Sequence, residues 1–594
     1  MRRASVFGMF SNLAQAKSWR SKYRMERSRI LMLLMMFAFC IVIARSWWLQ
    51  HLDVSDWQKR AERFYEGVRS VPANRGQILD RSGAVLASSV PVLRIGIVPK
   101  LFGRNHKYPL RVAKFAEILG LSPEALVSQI QERGRFFYVT KDLPVYHRDV
   151  IASLRLEGLE VELVYQRRYP YQEAFAQVLG LTNSDHVGVE GLERTYESFL
   201  RGKAGLRQVV QDVRGNVVGE KRLLSPPEPG RTVKLSLDAS IQGAAYRALR
   251  QSVLEHDAKG GSAVVLDAQT GEILAMVNMP DFNPNDRSGL DDESLRLRAI
   301  TDAIEPGSVM KPFAIATALE LGLVRTSTVL DVSSGVLRIG RSSISDAHRH
   351  DQLTVAQILQ KSSNVGTATI ALKIPPQTLW STYRAVGLGE VPMIGLTGAT
   401  AGRLRSPERW RPIEQATMSY GHGLSMSVLQ LAQAYTVFGT DGRFLPASFG
   451  RQVDLSDQAA GALGYRVYSP EVVKAIRAML EAAAAPGGTA PKARIPGYRV
   501  GGKTGTAHIA ERGGYSDVRF ISSFVGLVPI EQPRLVIAVV VEEPSKGQYY
   551  GGLVAAPVFA KIAEDAMRSL NVAPDPLVVS PSPQNENWVK EASQ

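Results

Sequence analysis

Residues 305–321 read EPGSVMKPFAIATALEL, and the reading of the fold turns on Ser308 and Lys311 within them. Positions three apart on a helix share a face, so the Ser308 hydroxyl and the Lys311 amine are expected to meet. Of all the serines in the chain, only Ser308 is followed by lysine three positions on. Ser308 also opens its helical pattern, where unpaired N–H groups and the positive dipole end favour a developing oxyanion. Pro312 cannot return an N–H to the Ser308 carbonyl and is expected to distort this first turn. An N-capping serine beside a solvated lysine would explain the same residues, so the pair alone decides nothing.

Two further elements lie downstream. Ser362-Ser363-Asn364 falls between a helical pattern over Val355–Gln360 and another from Val365; by itself it reads as a polar turn ending a helix, and a Ser-any-Asn triplet recurs at Ser569–Asn571. Lys503-Thr504-Gly505-Thr506 closes the stretch GYRVGGKT from Gly497, which matches a P-loop letter for letter. That mechanism needs a buried strand before the loop and a helix after it. Ala490–Pro496 (APKARIP) is no buried strand, and Gly505 with Thr506 disfavours an immediate helix, so phosphate binding is set aside.

The surrounding sequence supplies a scaffold. Ser262–Asp267 (SAVVLD) and Glu272–Val277 (EILAMV) flank Thr270-Gly271 as a hairpin. Leu535–Val541 (LVIAVVV) is a continuous β-branched run, as expected of a central strand covered on both faces. The sheet is thus split in sequence, with helical patterns such as Phe313–Leu321 and Val428–Phe438 between its halves, and a cleft is expected between sheet and helices. Upstream, Trp57–Lys234 mixes strands such as Leu93–Val98 with helices such as Arg111–Leu119, and Pro226, Pro227, Pro229 and Gly230 form a hinge.

At 594 residues the chain is too long for one ordinary domain, and one cysteine, Cys40, excludes a disulfide framework or a cysteine-rich metal site. The formal charge of +15 points to nucleic acid or anionic lipid until it is located. Residues 1–29 carry eight Lys or Arg and one Glu, nearly half the excess, directly before the apolar run Ile30–Ala44 and the pair Trp47-Trp48. Twenty such residues span about 30 Å as a helix. A cleaved signal peptide is the competing reading, but the long basic lead and the two tryptophans favour an uncleaved anchor with its N-terminus in the cytoplasm. The charge is therefore a topology signal, and no nucleic-acid partner is expected. The expected layout is a basic cytoplasmic tail (1–29), a membrane span (30–49), a non-catalytic pedestal (50–235), a catalytic domain (236–570) and a disordered tail (571–594).

Ser308…Lys311, Ser362…Asn364 and Lys503-Thr504-Gly505 occur in that order, 54 and then 141 residues apart. The set resembles the penicillin-binding protein and serine β-lactamase superfamily. Arg75–Gly83 (RGQILDRSG), Arg168-Tyr-Pro170, Gly188–Glu193 (GVEGLE), Glu305–Ser308 and Ser419–Gly423 (SYGHG) resemble class B penicillin-binding proteins, and Arg409–Tyr435 resembles their septal, cell-division branch. No glycosyltransferase motif of the bifunctional class occurs, nor the deacylating Glu-any-any-Leu-Asn of class A β-lactamases.

This resemblance implies an α/β (α+β) transpeptidase domain with a helical lobe, a pedestal and one anchor, placed in the bacterial inner membrane at the septum with the catalytic domain periplasmic. It implies a peptidoglycan D,D-transpeptidase acting on stem peptides ending in D-Ala-D-Ala and acylated by β-lactams. Ser308 would be the nucleophile, Lys311 the base, Ser362 the proton relay and Lys503 a catalytic cation. Asn364, Thr504, Gly505 and Thr506 would bind substrate, with the N–H groups of Ser308 and Thr506 as oxyanion hole. No cofactor or metal is implied; His348 and His350 in DAHRH lack the rest of a ligand set. An FtsW-like glycan polymerase and other division proteins are the implied partners. Arg75, Asp80 and Glu193 are expected to form an ion-pair network joining pedestal to catalytic domain. An elongation-type transpeptidase, a D,D-carboxypeptidase and a non-enzymatic division scaffold are the rival readings.

Overall fold

The computed structural model describes residues 7–51, 66–211, 217–450, 464–511 and 514–575. Contacts divide the chain into two compact units. One comprises residues 1–72 and 204–228, the other residues 73–203 and 229–594. This differs from the sequence-based layout, because residues 73–203 belong to the same unit as the catalytic portion.

In the first unit, a helix runs over Phe7–His51, well into the basic segment expected to be a tail. Its Glu26–Gln50 portion is, among the described residues, the one helical segment long and apolar enough to cross a membrane, at about 37 Å. Its described apolar side chains are exposed, as a lipid-facing surface would be. The same unit holds a three-stranded antiparallel sheet ordered Glu66–Val71, Gly205–Gln211, Val217–Ser225.

The second unit is built on a five-stranded antiparallel sheet in the order Ile273–Met279, Gly260–Asp267, Leu535–Glu542, Gly514–Val528, Gly501–Glu511. The split-sheet expectation holds: Leu535 pairs with Asp267 and Val541 with Gly261. Side chains alternate across a strand. Val536, Ala538 and Val540 accordingly join the core of the helical lobe with Phe313, Tyr435 and Phe438. Ile537, Val539 and Val541 face the other way, against helices Ala239–Glu255 and Gly551–Ser569 through Leu249, Phe559 and Ile562. Both faces are covered, which is why the run is apolar without a break.

Within residues 73–203 a second sheet pairs Val85–Ile97 with Phe137–Pro144 on one side and Leu159–Arg168 on the other. Helices Pro109–Ile118 and Pro123–Arg133 cover it with Phe115 and Leu126. The ion-pair network lies within residues 75–197 and does not make the expected junction. Glu193, fully buried, accepts from Arg75 Nε at 2.7 Å and from Arg167 Nε at 2.6 Å. Asp80 makes the junction instead: one carboxylate oxygen accepts from the Ser82 and Ala84 N–H groups, and the other accepts from the Ala239 N–H at the start of helix Ala239–Glu255. Residues 571–575, expected to belong to a disordered tail, are held in place. Asp575 accepts from the Arg499 N–H, Tyr498 donates to the Val572 carbonyl, and the rest of that tail lies outside the described residues.

Candidate active site

Ser308 lies in a 3₁₀ turn, Gly307–Met310, that leads into helix Lys311–Glu320. Pro312 has no N–H for the Ser308 carbonyl, and the Lys311 N–H closes the tighter bond to it, so the distorted first turn is as expected. The turn is gripped from two sides. Gly307, at φ +65°, donates its N–H to the Gly421 carbonyl; a Cβ on Gly421 would lie 2.2 Å from the Gly307 oxygen. On the other side a Cβ on Gly505 would come within 2.8 Å of the Pro306 oxygen and 3.2 Å of Val309. The Lys503 strand and the Gly421 loop therefore touch the nucleophile turn through bare backbone. Among the described residues the Ser308 hydroxyl has no hydrogen-bond partner, so the expected meeting with the Lys311 amine is not made as a hydrogen bond; that amine turns to Ser362 and Asn364 instead.

Lys311 is fully buried. Its Nζ donates to the Ser362 carbonyl (2.5 Å), the Ser362 hydroxyl (3.1 Å) and Asn364 Oδ1 (2.7 Å). One residue supplies two of these acceptors because Ser362 is in the left-handed conformation, φ +63°, ψ +38°, ending helix Val355–Lys361. Ser363 then caps helix Asn364–Ala371 by accepting from the Gly366 N–H. The triplet is thus both the polar turn of the plain reading and a ligand for Lys311.

Lys503, also fully buried, donates from Nζ to the Ser362 hydroxyl at 2.9 Å and to the Thr504 carbonyl at 3.2 Å. Both lone pairs of Ser362 Oγ are then engaged, and its own hydrogen is left to donate. Burial lowers the Lys311 ammonium well below its ordinary pKa; the charge of Lys503 pushes the same way and Asp346 opposes both. Burial holds Lys503 at about 7.

The Lys503 strand runs Gly501–Glu511 at the edge of the sheet, where an immediate helix would have been needed for a P-loop. Alternation along it sends Lys503 and Gly505 toward Ser362 and the Ser308 turn. Thr504 and Thr506 point to the start of helix Gly551–Ser569. Thr506 Oγ1 accepts from the Gly551 N–H at 3.1 Å, which leaves its hydrogen available. The Thr504 hydroxyl donates to Thr489 at 3.0 Å.

Several contributors have no local sequence signal. Asp346, in the segment weighed for metal binding, instead accepts from Ser363 Oγ (2.6 Å) and from the Asn364 and Val365 N–H groups, so it caps the helix that presents Asn364. Among the described residues no His, Cys, Asp and Glu cluster could hold a metal ion. Glu305 ties three segments together: it meets His422 Nδ1 at 3.2 Å and accepts from the Gly423 N–H and the Tyr515 hydroxyl, each at 3.0 Å. Glu305 belongs to the motif at 305–308, but its two side-chain partners, His422 and Tyr515, have no signal in the spacing.

Comparison with known proteins agrees with this geometry. Residues 261–564 match the penicillin-binding protein transpeptidase domain, and residues 70–235 match the penicillin-binding protein dimerisation domain. The chain is 38% identical over 556 residues to a probable peptidoglycan D,D-transpeptidase PenA of Neisseria meningitidis, covering 92% of this chain and 94% of that protein. It is 37% identical over 546 residues to the peptidoglycan D,D-transpeptidase FtsI of Escherichia coli, covering 91% of each. The solved transpeptidase domain of Burkholderia pseudomallei penicillin-binding protein 3 is 43% identical, with a TM-score of 0.52, and the match covers 57% of this chain and 97% of that one. With both family domains in place and this identity sustained over nine-tenths of its length, the chain belongs to the class B penicillin-binding proteins.

Proposed function

We propose that this protein is a serine-type peptidoglycan D,D-transpeptidase that cross-links stem peptides of the septal wall during division and is acylated by β-lactams. The observation that carries the reading is the convergence of two buried lysines on one hydroxyl, Ser362, beside the turn that bears Ser308. Charged lysines are costly to bury, and a lysine held neutral near neutral pH is a base.

In this mechanism neutral Lys311 takes the Ser308 proton as Oγ attacks the penultimate carbonyl of D-Ala-D-Ala. The N–H groups of Ser308 and Thr506 receive the oxyanion, a contribution of about 10²- to 10³-fold in rate for each donor. The proton passes through the Ser362 hydroxyl to the departing D-alanine nitrogen, the C–N bond breaks, and an acyl ester remains on Ser308. An amine from a second stem peptide then attacks that ester, gives up its proton, and restores Ser308. One amide replaces another, so no nucleotide is consumed. Lys503 and the free hydrogen of Thr506 favour the terminal carboxylate, Thr504 steadies the strand through Thr489, Gly505 lets the turn approach, and Asn364 holds Lys311 and the substrate amide. The unpaired edge of Gly501–Glu511 suits an extended peptide.

The Glu26–Gln50 helix and the basic residues before it support a single-pass inner-membrane anchor with the catalytic portion periplasmic. Residues 50–235 serve as pedestal and 236–570 as transpeptidase domain, with an FtsW-like polymerase and other division proteins as partners at the anchor and pedestal. Similarity to FtsI over most of the chain favours septal over elongation work. Fluorescent penicillin followed by peptide mass spectrometry tests the chemistry: label on Ser308, lost in Ser308→Ala, is expected. An unlabelled wild-type protein, or a labelled alanine variant, sinks the acyl-enzyme.

A further inference from the structure

The peptide plane midway between Ser308 and Lys311 is held from outside its own helix. The Val309 carbonyl would take a 3₁₀ hydrogen bond from residue 312, but that residue is proline and has no N–H. A buried carbonyl without a donor is costly. The donor here is the Tyr435 hydroxyl, 2.6 Å from the Val309 oxygen. Tyr435 is fully buried at the end of helix Val428–Ala434. Its ring is fixed by edge contacts to Phe313 (5.3 Å) and Phe438 (5.6 Å), so the hydroxyl has one position. Burial pushes the phenol well above its ordinary pKa, so it stays a donor wherever the enzyme works.

We infer that Tyr435 is a positioning residue for acylation: its phenol supplies the donor that Pro312 lacks and thereby fixes the nucleophile Ser308 relative to the base Lys311. The inference rests on the serine-acylation reading above. The pairing also explains why a proline can stand one residue after the base: the missing bond is made by a side chain from another helix. The Phe313 carbonyl, one turn further on and inside helix Lys311–Glu320, also accepts from Tyr468 (3.1 Å) and Thr317 Oγ1 (2.8 Å).

Tyr468 is therefore a matched control, a buried tyrosine donating to the same helix one turn further from Ser308. Full-length wild type, Tyr435→Phe and Tyr468→Phe are compared for thermal midpoint and for labelling by fluorescent penicillin over a range of concentrations, separating drug affinity from the acylation constant. Tyr435→Phe is expected to slow saturating acylation about 10- to 100-fold with affinity little changed, since small misplacements near the reacting atoms cost that much. Tyr468→Phe is expected to acylate nearly as wild type despite a similar loss of midpoint. Equal slowing in both variants, wild-type acylation in Tyr435→Phe, or a defect confined to affinity overturns the inference. Adding Pro312→Ala to Tyr435→Phe restores an N–H to the turn and is expected to recover part of the rate; no recovery counts against it. A wild-type protein that takes no label at all overturns the acyl-enzyme reading itself, and the role of Tyr435 with it.

Discussion

Replacing Lys503 with methionine removes one of two buried amines while keeping most of the length of the side chain. The Lys311 and Lys503 nitrogens both contact Ser362 Oγ, at 3.1 and 2.9 Å, so they lie within about 6 Å of each other. Two like charges at that separation repel by about 3 kcal/mol at an effective dielectric constant near 20. Charge on Lys503 adds to burial in lowering the Lys311 pKa, and so lowers the pH at which the base is free. The rate of a reaction that needs a neutral lysine rises with pH through that lysine's pKa. Without Lys503, the Lys311 pKa rises, and the acid limb of the acylation profile should move to higher pH. The assay is the acylation constant at saturating β-lactam from pH 5 to 10. Saturation removes the weaker carboxylate binding that the loss of Lys503 also brings, and any general loss lowers the plateau without moving the limb. An acid limb that stays in place, or moves to lower pH, refutes the electrostatic coupling of the two lysines.

Burial of Lys503 also ties stability to pH. Its folded pKa of about 7 lies below the unfolded value near 10.4, so the unfolded chain binds the extra proton between those limits and stability should rise as pH goes from 7 to 10. Thermal midpoints across that range, flatter in Lys503→Met, check the sign. Asp346→Ala removes the acceptor for the Asn364 and Val365 N–H groups, leaving Ser363 as the cap of helix Asn364–Ala371, and should cost about 1–2 kcal/mol as well as slow acylation, read by melting and labelling together. Melting unchanged in that variant would show that the lost bonds carry no stability. Glu193→Ala leaves the Arg75 and Arg167 guanidinium groups buried without their shared carboxylate, an expected loss of about 3–5 kcal/mol, so soluble yield and midpoint should fall together. Gly421→Ala, at φ +85° with a Cβ 2.2 Å from the Gly307 oxygen, should displace the Ser308 turn and depress acylation more than drug affinity.

The parts of the site that were legible in the sequence share one property: each is a short local pattern whose chemistry is carried by its own residues. Ser308 and Lys311 sit one helical turn apart, Ser362 and Asn364 straddle a helix break, and Leu535–Val541 reads as a central strand because both faces are apolar. What stayed hidden depends on contact between segments far apart in the chain. Asp346 drew attention for two histidines beside it, yet its work is to cap a helix beginning eighteen residues later. Tyr435 and Phe438 read as two more apolar positions of a buried helix, and nothing in that pattern marks one hydroxyl as a donor to residue 309. The expected network of Arg75, Asp80 and Glu193 is met only in part: Glu193 turns inward to Arg75 and to Arg167, while Asp80 pairs with no cation among the described residues and crosses to the Ala239 N–H. Charge and motif named the residues, but only the packing decided which neighbour each one met.

The split central sheet bears on how the protein comes to be folded. Strand Leu535–Glu542 lies between Gly260–Asp267 and Gly514–Val528, so the early hairpin of Gly260–Asp267 and Ile273–Met279 stays unjoined to the rest of the sheet until residues 535–542 have arrived. Pairings so distant in sequence bear a large loop-closure entropy and form slowly. A newly made chain that has just delivered Ser308 and Ser362 therefore exposes Val264, Val265 and Leu266 as an open edge, a target for proteases and a seed for aggregation. Lys503 reaches the cleft only with the closing strands, so an immature or truncated protein has no assembled cleft with which to hold an antibiotic.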